Sequence, residues 1–110
     1  MSKASDALRI LDDAKALIEK GWHQGYYARD EHGERRTPSS EHAVAFCAIG
    51  ALERAGNDMP IAAEALAKQA LRYVVPGQDV VGFNDAPGRT KAEVLEVFEA
   101  AKGWVKDDSL

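Results

Sequence analysis

The order of apolar and polar positions along the chain reads as four helices and one short extended region. Ala7, Ile10, Leu11, Ala14, Leu17 and Ile18 recur three and four residues apart, with Arg9, Asp12, Asp13, Lys15, Glu19 and Lys20 between them. That spacing predicts an amphipathic helix over about 5–20, with Ser5 as N-cap and Gly21 as its stop. Residues 43–52, AVAFCAIGAL, carry no polar side chain. They lie between a start signal, Thr37-Pro38-Ser39-Ser40, and a stop signal, Gly56-Asn57. A central helix over about 40–55 is therefore expected, enclosed by protein on all sides and too short to span a bilayer. A third stripe, Ala63, Leu66, Ala67, Ala70 and Val74, follows Asp58-Met59-Pro60 and ends at Pro76-Gly77, which predicts a helix over about 60–73 capped by Asp58.

Residues 80–83 form a short apolar run expected to be extended. After the turn cluster 84–88, Thr90 and Glu93 have capping-box spacing, threonine at the N-cap and glutamate three residues on. The helix they open, about 91–106, carries Val94, Val97, Phe98, Ala101, Trp104 and Val105 on one face, and a tail over 107–110 is expected to fray. Between the first two helices, Trp22, Tyr26 and Tyr27 favour extended structure, and 30–33 reads as a turn. A hairpin of strands over 22–29 and 34–37 is expected. Gly50 costs about 1 kcal/mol relative to alanine inside a helix, so a packing reason is expected for it, and with Ala43, Cys47 and Ala51 it makes a face of small residues. The fold class that results is α+β and mainly α. About four helices pack around the central apolar helix, with a small hairpin or short sheet on one side.

Composition narrows the function classes. A chain of 110 residues predicts one domain that buries roughly two thirds of its unfolded surface. The net charge of −4 argues against nonspecific binding to nucleic acid or to an anionic membrane. A single cysteine excludes an intrachain disulfide and fits a reducing cytoplasm, and the first ten residues contain no long apolar run that would make a signal peptide.

Each candidate site has a plain structural alternative. Cys47 with His42 or His23 would make a nucleophile and base. However, a thiol two turns into an apolar helix, beyond the reach of the helix dipole, reads as core. His23, His32, His42 and Cys47 show no metal-binding spacing, so no metal and no cofactor is expected. The segment GFNDAPGRT has five residues between its glycines and an arginine after them, where a phosphate loop needs four and a lysine. Arg89 and Lys91 beside the open N–H groups of the last helix leave a weaker anion-site reading. Asn84 and Asp85 offer a carboxylate, or a braced turn. Trp22, His23, Tyr26 and Tyr27 lie near Arg29, Arg35 and Arg36, but Asp30, Glu31 and Glu34 interleave and nearly cancel the charge. A protein contact suits this cluster better than single-stranded nucleic acid.

Separated pieces of the chain resemble an uncharacterised bacterial and phage domain family, a domain of unknown function. They are Gly21-Trp22 with Gln24-Gly25, then 46–52 (FCAIGAL) with Arg54-Ala55, then Phe83-Asn84-Asp85, and Arg89-Thr90 with Glu93-Val94. The resemblance implies no activity, substrate or catalytic residue, but a phage or prophage origin would favour a small regulator or host-interaction protein. The expected function is a cytoplasmic, non-enzymatic protein that binds another protein, with no membrane and no nucleic acid, and homo-oligomerisation compatible with it. Its contact residues would be Asn84, Asp85, Arg89, Trp22, Tyr26 and Tyr27, and Cys47, Gly50, Thr90 and Glu93 would serve structure. The alternative is a small enzyme or ligand-binding protein with a polar pocket near Asn84, Asp85 and Arg89.

Overall fold

The structure, a computed structural model, describes residues 2–108. Helix α1 spans Lys3–Lys20, followed by strands β1 (Ala28–Arg29), β2 (Arg35–Arg36) and β3 (Ala45–Phe46). Helices α2 (Ala48–Gly56), α3 (Ile61–Val74), α4 (Val80–Asp85) and α5 (Lys91–Asp108) follow, with a 3-10 turn at Pro76–Gln78 before α4. The fold is mainly helical α+β, with a small antiparallel sheet of order β2-β1-β3. Among the described residues, no helix is long and apolar enough to cross a membrane.

Helix α1 is the middle of the bundle. It packs on α2, α3 and α5, and its Ile10, Leu11, Ala14 and Ile18 are fully buried. Its stripe is wide enough to serve three neighbours, whereas α2 meets α1, α3 and the short α4. From α3 come Ala63, Ala67, Ala70 and Leu71, and from α5 Val94, Phe98, Ala101 and Val105. The alanine-rich faces let the helices approach closely, and Phe98 is the largest side chain fully enclosed between them.

The helix expected over 40–55 begins only at Ala48. The four residues before Cys47 are extended because their backbone groups find partners sideways. Val44 N–H donates to Arg29 O at 2.8 Å, and Phe46 N–H donates to Gly21 O at 2.9 Å. Ala45 and Phe46 are buried between β1 and the chain leaving α1, where Trp22 bridges Phe46 in parallel. A short apolar run has the same composition in a strand or a helix, and this one is not enclosed on all sides as expected, since Val44 is half exposed. Cys47 is therefore the N-cap of α2, with its Sγ accepting from Gly50 N–H at 3.3 Å, and does not lie two turns inside a helix.

Smaller differences have similar causes. The N-cap of α1 is Ser2, which accepts from Ser5 N–H, so the helix starts earlier than expected. Pro60 stands at the N-cap of α3 without a side-chain cap, in place of Asp58. Residues 80–83, expected to be extended, are helical because Asp79 caps them by accepting from Gly82 N–H at 3.0 Å. The strands expected over 22–29 and 34–37 shrink to two residues each, with Asp30 organising the turn between them. Its Oδ1 accepts from His32 and Glu34 N–H and its Oδ2 from Arg36 Nε, and the Glu34 N–H is the chief cause of a carboxyl pKa below the ordinary value. Asp107 and Asp108, expected to fray, are helical, and Ser109 and Leu110 lie outside the described residues.

Gly50 lies where the chain entering β1 crosses α2. A Cβ there would collide with the carbonyl oxygen of Tyr27 and stand 2.7 Å from its carbonyl carbon. Gly103, inside α5, has open space where a Cβ would go. The same substitution should therefore have opposite signs at the two sites. Gly103→Ala gains about 1 kcal/mol from helix propensity. Gly50→Ala loses more than that gain, by the roughly 1–3 kcal/mol typical of overpacking against backbone that cannot yield. Urea unfolding of the two variants checks this, and equal effects would remove the close crossing.

Candidate functional site

The segment 22–25 leaves α1 and runs beside α4, and the two are joined through Asn84. This side chain is 1% exposed. Its Oδ1 accepts from Trp22 Nε1 at 2.8 Å and from Ala48 N–H at 3.0 Å, the latter an open donor at the start of α2. Its Nδ2 donates to His23 O at 3.2 Å and to Asp85 Oδ1 at 2.9 Å. Around this centre Gln24 Nε2 donates to Asn84 O and Ala86 O, both at 2.9 Å, and Gly25 N–H donates to Asp85 Oδ1 at 3.0 Å. Asn84, Asp85 and Trp22 are thus brought together, and Gln24 joins them. The paired Gln24-Gly25 in the sequence was the only signal of its part, because nothing local shows that it faces residues sixty positions away.

Arg89 belongs to the far side of the same loop. Pro87 and Gly88, the latter at φ +81°, form the middle of a turn closed by Arg89 N–H donating to Ala86 O at 3.0 Å. The Arg89 guanidinium lies 3.7 Å from the Phe83 ring centroid, with Nε donating to Phe83 O at 2.7 Å and Nη1 3.4 Å from Glu93 Oε2. Thr90 and Glu93 exchange the capping-box bonds: Glu93 N–H donates to Thr90 Oγ1 at 3.2 Å, and Thr90 N–H donates to Glu93 Oε1 at 2.9 Å. That Thr90 N–H is the main reason the Glu93 carboxyl titrates below its ordinary value. The place an anion would take at this helix start is filled by the chain's own carboxylate, and Lys91 reaches away to Glu19 O at 3.0 Å.

Tyr26 and Tyr27 stand apart from this network, on the hairpin. They are 39% and 43% exposed. Arg35 sits 4.6 Å over the Tyr26 ring, whose edge meets His23. With Arg36 and Pro38 they line a mainly apolar groove of about 390 Å³. Tyr27 also borders a second groove of about 310 Å³, formed with Ile49, Arg72, Gln78 and Val81. Pro38 is held by Arg54, which donates to Pro38 O and Ser40 O at 2.8 and 2.7 Å. Arg72 and Gln78 belong to the face too, and no pattern in the sequence pointed to them.

The thiol of Cys47 is 3% exposed, and burial raises its pKa. Nucleophilic thiols are shifted the other way. Among the described residues, no group of three His, Cys, Asp or Glu is placed to hold a metal ion.

A family model, Family of unknown function (DUF6197), matches residues 2–103, and the chain belongs to that family. No curated protein and no solved structure matches it.

Two predictions follow from the junction. Asn84→Ala removes the partners of two buried donors, Trp22 Nε1 and Ala48 N–H. Leaving such groups unsatisfied costs about 1–3 kcal/mol each, so chemical denaturation should show a loss of at least about 2 kcal/mol. His23 gives a pH dependence. Burial is the main cause of its lowered pKa, and its Nε2 is enclosed without a partner. The unfolded chain, with an ordinary histidine, takes up a proton before the folded one does. Stability should therefore be flat above a pH of about 6.5 and fall as the pH drops below it. Melting curves of the parent and His23→Gln across this window should diverge on the acid side, and parallel curves would remove the assignment.

Proposed function

We propose that the protein is a small, non-enzymatic interaction protein whose docking face is the hairpin surface around Tyr26 and Tyr27. The observation that carries this reading is the division of polar side chains. Asn84, Asp85 and Arg89, the residues of the alternative pocket, direct their hydrogen-bonding groups at the chain itself. The two tyrosines are half-exposed beside an apolar groove with an arginine at its edge. Tyrosine and arginine are the residues enriched in protein contacts, where an amphipathic ring supplies area at little entropic cost. Burial raises the pKa of Cys47, the reverse of the shift a nucleophilic thiol needs. The setting proposed with this function is the cytoplasm of a bacterium or its phage, supported by the lone thiol and the motif resemblance.

The test is capture from a host lysate by the parent, by a Tyr26→Ala/Tyr27→Ala variant, and by Tyr73→Ala as a control. Tyr73 is exposed beside Trp104, on the α3 and α5 side of the molecule. A protein retained by the parent and by Tyr73→Ala, and lost from the double variant with its circular dichroism intact, is the expected result. Equal retention by all three, or no retained protein, overturns the reading.

A further inference from the structure

The hairpin face adjoins the two arginines that the fold leaves without a hydrogen-bond or ion-pair partner among the described residues. Of the seven arginines, five are engaged by the fold. Arg9, Arg36 and Arg89 pair with Asp13, Asp30 and Glu93. Arg29 donates to Asp30 O, and Arg54 holds Pro38 and Ser40. Only Arg35 and Arg72 have neither a carboxylate nor a carbonyl partner among the described residues, and both are exposed. They line different grooves, and the two grooves share one wall, Tyr27. Two guanidinium groups without a hydrogen-bond or ion-pair partner among the described residues thus flank a half-exposed ring.

The other charged groups lining the second groove, Glu53, Lys68 and Asp79, sum to one negative charge, but each is engaged within the fold. Lys68 lies between Glu53 and Glu64 at 3.6 and 3.5 Å, and Asp79 caps α4. Its lip is Gln78, held at φ +58° behind Gly77 at φ +75°. Gln78 is the one non-glycine residue at positive φ among the described residues; its backbone N–H donates to Val75 O at 3.0 Å, and its side chain is exposed. Backbone held in a sparsely populated region is found preferentially where a chain meets a ligand.

Resting on the reading that this face docks a protein, we infer that the partner presents an extended acidic segment. It would carry two carboxylates either side of an apolar side chain, one carboxylate for Arg35, one for Arg72, and the apolar group against Tyr27. Guanidinium groups pair with carboxylates in planar, two-bonded geometry, and Arg35 is already oriented by the Tyr26 ring. The apolar lining between Tyr27 and Pro38 gives the middle of such a segment a surface to cover. Two cations on a molecule of net charge −4 release too few counterions to hold a phosphate polymer against the remaining field.

The test uses a library of short random peptides displayed on phage, selected on the intact protein. Enriched peptides should carry paired Asp or Glu flanking an apolar residue. A synthetic copy of the leading peptide should bind Arg35→Glu/Arg72→Glu about tenfold or more weakly than the parent. The doubly reversed variant, which should melt as the parent does because both side chains are exposed, should itself select basic peptides. Enrichment of neutral apolar peptides that is lost in Tyr26→Ala/Tyr27→Ala but unaffected by the arginine reversals leaves the docking face standing and overturns the acidic partner. Enrichment insensitive to both pairs, or none, also overturns it. A labelled single-stranded oligonucleotide is titrated in parallel, and binding that depends on Arg35 and Arg72 would replace the acidic peptide by nucleic acid.

Discussion

The carboxamide of Asn84 is the constraint on which the arrangement of the chain depends. The exit of α1 and the start of α2, already joined through backbone bonds to Phe46, each direct a polar group at this one side chain of the short α4. The carboxamide here accepts two hydrogen bonds and donates two, whereas a carboxylate cannot donate and a hydroxyl has a single donor, so either would leave a group unpaired. Because the site is closed to water, those pairings cannot be replaced by solvent, and the geometry of all three segments is fixed together. The orientation of α4 then sets where the Pro87-Gly88 turn begins and how α5 returns along the bundle.

The polar side chains divide into two sets. Around α4 and the turn after it they close on one another: Gln24 on the carbonyls of 84 and 86, Arg89 on Phe83, Glu93 on Thr90. Around the hairpin, Asp30 and Arg54 do the internal holding, and they fix the two ends of the surface on which the tyrosines stand. The rigid half of the molecule thus supports an outward-facing half, and the two meet at His23 and Gly25.

What could be read from the sequence follows the range of the interaction concerned. The stripes of α1 and α5, the capping box of Thr90 and Glu93, and the Pro87-Gly88 turn are local, and they stand in the structure as their spacing implied. The extended form of 43–46 was not legible, because it depends on Arg29 and Gly21 offering carbonyls from distant positions. Asp79 as a cap was hidden by the apolar run behind it, which looked like a strand. That Gly50 needed a packing reason was legible, but the helical face of small residues expected with Ala43 and Cys47 does not form, because both precede α2, and the occupant, the Tyr27 backbone, was hidden. Of the candidate site, the grouping of the tyrosines with arginine could be seen along the chain. The burial of Asn84 and the convergence of Arg72 on Tyr27 could not, since both arise from packing.

The hydrogen bonds of Asn84 close long loops: its partners Trp22 and Ala48 lie 62 and 36 residues away along the chain. Closing such loops costs entropy that only a largely assembled bundle can offset, whereas the helices themselves form from neighbours. The junction, like the pairing of α1 with α5, is therefore expected to form after the helices. An interaction absent from the transition state leaves the folding rate alone and slows unfolding. Asn84 acts as a latch: it sets how long the native molecule persists once made, more than how fast it is made.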